Sequence, residues 1–190
     1  MQGTYKFARY RSSTNRSKRE LPIVSGVTVI YPYDEKTGVV RFKDAIPRPD
    51  FKETGPDNVN PYSGIVIPYG DFVFLIGDEE EGGFPILLAL QTRSPKRQEL
   101  LGMVLRRHPS GPVLASKVAY KRLDEERGYT KVDSAGDPYD TYLQSVANTE
   151  LFLTEDEFEK QFNRPVTEIR NFPDADFDAG VLEIAASILE

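Results

Sequence analysis

Tyr62-Ser63-Gly64-Ile65-Val66-Ile67-Pro68, Asp71-Phe72-Val73-Phe74-Leu75-Ile76-Gly77 and Phe84-Pro85-Ile86-Leu87-Leu88-Ala89-Leu90-Gln91-Thr92 are three apolar runs of strand length. Two residues, Tyr69-Gly70, separate the first pair, and the acidic tip Asp78-Glu79-Glu80-Glu81-Gly82-Gly83 separates the second. Links this short, ending in glycine, force antiparallel neighbours, so three consecutive hairpin-connected strands follow. In Phe72-Val73-Phe74-Leu75-Ile76 both alternating faces are apolar, which predicts a central strand covered on both sides.

The same pattern extends outward in both directions. Upstream, Val27, Val29, Tyr31 and Tyr33 alternate with other residues; Asp34-Glu35-Lys36-Thr37-Gly38 makes a loop, and Val39 to Lys43 returns as a hairpin partner. Thr4 to Arg11 and Ser25 to Tyr31 read as earlier strands. Downstream, Glu99 to Arg107 and Val113 to Leu123 flank His108-Pro109-Ser110-Gly111-Pro112, whose prolines and glycine permit only a turn or loop. In the last run Leu114, Val118 and Tyr120 fall on one side and Lys117 and Lys121 on the other, as in a half-buried strand. About eight strands at this spacing predict a mainly β, antiparallel body over residues 1–123, with a closed barrel preferred over a sandwich.

After Leu123 the composition changes. Residues 1–123 carry 19 basic and 13 acidic side chains, whereas residues 124–190 carry 5 and 17. A basic body with an acidic tail is therefore expected, the tail built of short helices. Thr154-Glu155-Asp156-Glu157 has the spacing of a capping box, and Phe158 and Phe162 then share one helical face. Asp178 begins a second helical pattern in which Val181, Leu182, Ile184, Ala185, Ile188 and Leu189 form an apolar stripe. So short a helix is marginal alone, which makes residues 178–190 a candidate for docking on the body, for self-association or for a protein partner.

The whole chain has 190 residues, 39% of them hydrophobic, 28% charged and 11% aromatic, within the range of globular proteins and outside that of collagenous or fully disordered chains. With 0 Cys and 1 His there is no disulfide framework, no thiolate chemistry and little imidazole chemistry. No apolar stretch approaches the ~20 residues of a membrane span, and polar and basic residues follow Met1, so a cytoplasmic setting without membrane contact is expected. Metal loops and glycine-rich nucleotide cradles are not read in the sequence either; no cofactor or metal is expected.

The candidate ligand-binding residues centre on Arg9-Tyr10-Arg11-Ser12-Ser13-Thr14-Asn15-Arg16-Ser17-Lys18-Arg19, where five cations alternate with hydroxyl and amide side chains able to bond an anion or phosphate. Arg9, Arg11, Ser12, Ser13 and Arg16 are expected to meet an anionic group, with Tyr10, Tyr31 and Tyr62 packing on an apolar part of the same ligand. His108, between Arg107 and Pro109, is the sole imidazole and the only basis for a hydrolase reading, and no residues around it match that task. No catalytic residue is assigned.

Gly3-Thr4-Tyr5 with Arg9-Tyr10-Arg11-Ser12, Tyr62-Ser63-Gly64, Phe72-Val73-Phe74-Leu75-Ile76-Gly77, Leu101-Gly102-Met103-Val104-Leu105 and Val113-Leu114-Ala115-Ser116-Lys117-Val118 resemble the sensor-type β-domain that follows a helix-turn-helix segment in some bacterial transcriptional regulators. The resemblance spans residues 3–123 and implies a domain that binds a small effector or a protein partner and alters DNA binding elsewhere. No helix-turn-helix pattern is read ahead of this β-body, and the acidic tail has no counterpart in the resemblance. The expectation is a non-enzymatic sensor or regulatory binding domain. Nucleic-acid binding through the basic 9–19 segment is the alternative, and a hydrolase stands third.

Overall fold

The computed structural model describes residues 2–10, 23–47, 59–92, 99–107, 113–123 and 152–170. Eight antiparallel strands form a closed barrel: β1 (Gly3–Tyr10), β2 (Ile23–Asp34), β3 (Val39–Pro47), β4 (Val59–Tyr69), β5 (Phe72–Glu79), β6 (Pro85–Gln91), β7 (Glu99–Arg107) and β8 (Val113–Arg122). Each strand pairs with its sequence neighbours, and β1 pairs with both β2 and β8, which closes the ring. A ninth, two-residue strand, β9 (Phe152–Leu153), joins β2 at Ile23 and Val24. The tail expectation contained only helices, because two residues carry no periodicity to read.

The turns follow from local chemistry. Asp34 organises the first hairpin: its carboxylate accepts hydrogen bonds from the Lys36 amide at 2.9 Å and the Thr37 hydroxyl at 2.7 Å, and Gly38 closes the loop with φ 73°. The β4–β5 link is Gly70-Asp71, one residue later than Tyr69-Gly70, because Gly70 takes φ 58° and must sit inside the turn. Tyr31 continues the stripe of Val27 and Val29, whereas Tyr33 does not, since the register of β2 against β3 shifts between Ile30 and Tyr33.

Alternation divides each strand into an inner and an outer set. The interior holds Tyr5, Phe7, Val24, Ile30, Phe42, Ile46, Tyr62, Val73, Leu75, Ile86, Leu88, Leu90, Leu100, Val104, Val118 and Tyr120. Three glycines fit this curvature. A Cβ at Gly26 would lie 2.4 Å from the Phe7 ring, and Gly64 and Gly77 face each other across β4 and β5 so closely that a Cβ on Gly64 would lie 2.5 Å from the Gly77 Cα.

Residues 152–170 of the tail pack on the outside of the barrel. Helix α1 (Glu155–Phe162) starts at Thr154 with the expected capping box: the Thr154 hydroxyl accepts from the Glu157 amide at 3.2 Å, and the Glu157 carboxylate accepts from the Thr154 amide at 2.7 Å. Phe158 and Phe162 stack with centroids 4.9 Å apart. They form one buried cluster with Leu153, Val166, Ile169, Ile23 and the paired Ala8 and Ala119, whose small side chains let the helix approach the barrel wall. Lys6 and Lys121, also paired, reach Gln161 near the helix C-terminus, where cations complement the end of the helix dipole. Residues 178–190, the second helical pattern, lie outside the described residues.

The outer side of β5 differs from expectation. Phe72 and Ile76 are 43% and 44% exposed and Phe74 is half-buried, so this strand is covered on its inner side alone by the described chain. Burial of α1 yields the first prediction: Phe158→Ala should lower the unfolding free energy by about 3–5 kcal/mol and Thr154→Ala by about 1 kcal/mol. Denaturant titration checks both, and equal effects would refute the assignment of the helix's stability to its aromatic face.

Candidate functional site

Inside this largely apolar barrel lies a belt of polar side chains contributed by most of the strands. Thr28 of β2 pairs with Asp44 of β3, Asp44 with Tyr62 of β4, and Tyr62 with Glu79 of β5, so one continuous rung of the barrel carries four hydrogen-bonding residues. Tyr120 of β8, Arg106 of β7 and Arg9 of β1 complete the group, since Arg9 is electrically coupled to Asp44, Tyr62, Tyr120 and Arg106. Arg9, Asp44 and Thr28 are almost fully buried. Buried polar groups on this scale are costly unless paired.

Part of the belt is well paired. The Thr28 hydroxyl stands 2.7 Å from the Asp44 carboxyl and 3.2 Å from the Tyr120 hydroxyl. Having a single proton, it donates to Asp44 and accepts from Tyr120, which makes a relay of three side chains. Tyr62 hydrogen-bonds Arg106, and the charge of Glu79 also favours the Arg106 cation. Burial nevertheless lowers the pKa of Arg106.

Arg9 is different. Among the described residues its Nε is buried with no hydrogen-bond partner, and its Nη1 reaches only the carbonyl of the adjacent Tyr10, at 3.4 Å. Burial, reinforced by Arg106, lowers its pKa to about 9, so the guanidinium remains cationic at neutral pH. The facing Asp44 is a poor counter-charge: burial raises its carboxyl to about 7 against the opposing pull of Thr28 and Arg9. Burial likewise pushes the Tyr62 and Tyr120 hydroxyls upward, keeping both protonated as donors. The belt therefore presents a cation with an unused N–H, protonated phenols and a carboxyl that titrates near neutrality, an arrangement suited to holding an oxyanion.

The structure divides the sequence-predicted residues. Arg9 and Tyr62 meet in the interior belt. Tyr10 lies on the outer wall, where its hydroxyl donates to Glu155 at the start of α1, and Glu155 also accepts from Arg170 at 3.0 Å. Tyr10 thus fastens the tail to the barrel. Tyr31 packs on the outer cluster of Val27, Val29, Ala45 and Val59 and lines an open cleft of about 350 Å³ with Arg41, Lys43, Ser63, Ile65 and Glu80. Arg11, Ser12, Ser13, Arg16 and His108 lie outside the described residues. Thr28, Asp44, Glu79, Arg106 and Tyr120 were missed as site residues. Their signal was phase: Asp44 falls between Phe42 and Ile46, and Thr28 between Val24 and Ile30, on the strand positions that point inward.

Among the described residues no cluster of three or more His, Asp or Glu suited to a metal is present, and no helix is long and apolar enough to cross a membrane. No protein-family model matches the sequence, and a search of curated proteins finds no match.

The raised carboxyl of Asp44 fixes a pH dependence. Because its folded pKa of about 7 lies above the unfolded value of 3.8, the folded state binds the extra proton. The resulting stability is complete below about pH 4 and is lost as pH rises through 7. Wild type should therefore lose stability relative to Asp44→Asn across that window, by up to about 4 kcal/mol, with a constant difference above it. Denaturant unfolding of both proteins at successive pH values reads the difference, and parallel profiles would refute the assignment.

Proposed function

We propose that this protein is a non-enzymatic, sensor-type binding module whose barrel holds a small effector bearing an oxyanion, such as a carboxylate, with Arg9 as its charged contact. The observation that carries the reading is the buried Arg9 Nε, which has no hydrogen-bond partner among the described residues. A buried guanidinium N–H left unpaired costs about 1–3 kcal/mol, a penalty that an anionic ligand removes. The Tyr62 hydroxyl and the Arg106 guanidinium supply further donors around the same place. The likeness of the strand pattern to regulator sensor domains supports a regulatory role for such binding.

The competing reading, nucleic-acid binding through the basic 9–19 segment, is weakened because Arg9, the first cation of that run, is buried in the barrel. Its mark would be affinity for DNA or RNA that falls steeply with salt.

Thermal unfolding in the presence of benzoate, inorganic phosphate and uncharged benzamide tests the proposal. Benzoate or phosphate should raise the melting temperature and benzamide should not, because only an oxyanion uses the Arg9 charge. Arg9→Met should abolish the response while leaving the unliganded protein equally or more stable, since an underpaired buried charge is removed. Loss of one charge-assisted contact corresponds to about tenfold or more in affinity. Benzoate, ionised throughout, should bind more tightly at pH 6 than at pH 8, because protonation of Asp44 near 7 removes the competing negative charge, and Asp44→Asn should erase that difference. Failure of both anions to bind, or a response that survives in Arg9→Met, would overturn the proposal.

A further inference from the structure

One side of the barrel's outer wall is covered by β9 and α1; the side formed by β4 to β7 is bare of any described element. On that bare side Ile65, Ile76, Leu87 and Leu105 stand opposite one another in register across four strands. The adjoining row is Ile67, Phe74, Ala89 and Met103, followed by the pair Tyr69 and Phe72. None of these ten side chains is charged. Ile65, Ile67, Ile76 and Leu105 are 38–44% exposed and Tyr69 is 76% exposed. Both alternating faces of β5 are thus apolar although only the inner one is buried within the described chain, which is the pattern of a strand whose second face is covered by something else.

We propose that this face binds a second copy of the protein, the two barrels packing sheet on sheet across a two-fold axis. A homodimer of ordinary size takes about 800 Å² from each partner, roughly two-thirds of it apolar. Six large side chains exposed by about half, Ile65, Ile67, Tyr69, Phe72, Ile76 and Leu105, supply apolar area of that order. Two twisted sheets with branched side chains in parallel rows also interdigitate readily. The border carries both signs of charge, Arg41 on β3 and Lys117 on β8 at the sides and Asp78 with Glu80 at one end. A surface that meets its own copy requires both signs, since a single sign would repel itself. A membrane surface is a poorer match: anionic lipids select a basic rim, whereas this border is mixed and the chain has net charge −6.

Sedimentation velocity of the 190-residue protein at micromolar concentrations tests the proposal. Wild type should run as a dimer, and Ile76→Asp and Leu105→Lys, two strands apart, should each halve the mass. Both replace partly exposed outer residues, so circular dichroism and melting curves should show an intact barrel; should one fail to fold, the other still reads the interface. The paired change Ile184→Asp with Ile188→Asp disables the apolar stripe of residues 178–190 and should leave the dimer intact. A monomeric wild type, a dimer that persists in the face variants, or a dimer abolished by the tail change would each overturn the proposal, as would a monomer that sediments with anionic vesicles.

Discussion

Pairing of β1 with both β2 and β8 is the constraint on which the other features rest. It removes the free edges that an open sheet of this length would expose. It also fixes which residues look inward: once Gly3–Tyr10 is locked between two partners, a slip of one residue would turn Tyr5, Phe7 and Arg9 out and Thr4, Lys6 and Ala8 in. Such a slip would place a lysine in the core and an arginine against α1. The two rows of β1 are so unlike in size and charge that the ring has a single acceptable register.

That register produces the polar belt as well as the core. Thr28, Asp44, Tyr62 and Glu79 are cross-strand neighbours, so each is held by the backbone of the strands beside it rather than by a loop. Groups fixed on strands keep their geometry more closely than groups carried on loops. The cost is visible at Arg9 and Asp44, whose pKa values are both displaced by burial toward their neutral forms. Folding tolerates this strain because the surrounding core is large: sixteen buried apolar residues form one cluster around it.

Most of the fold was legible because strands separated by Gly, Pro and Asp turns leave strong local marks. All eight barrel strands and the capped helix are read from alternation and spacing, with displacements of a residue or a few at their ends. Asp44 was passed over because the strand reading stopped at Lys43, and a lone carboxylate beyond an apparent strand end resembles turn chemistry; Asp34 a few residues earlier does play that role. Basic side chains at 9–19 drew attention as a continuous run, yet Arg9 belongs to the strand and not to the run that follows it. Tyr10 misled for the reverse reason, since aromatic character says nothing about which side of a barrel wall a residue occupies. Interior contacts between β1 and β7 or β8 are separated by about a hundred residues of sequence, and no local pattern encodes them.

The same separation shapes how the chain reaches its folded state. Arg9 pairs with Val118 and Tyr5 with Arg122, so the first strand of the barrel to be synthesised waits for the last before its second side is satisfied. At about 5–20 residues per second that interval is on the order of ten seconds. During it the growing sheet has two open edges and an uncovered inner face of Tyr5, Phe7, Phe42 and Leu75. Until closure, the lysines and acidic turns of the outer wall are the charged groups that oppose association of the chain through those open edges.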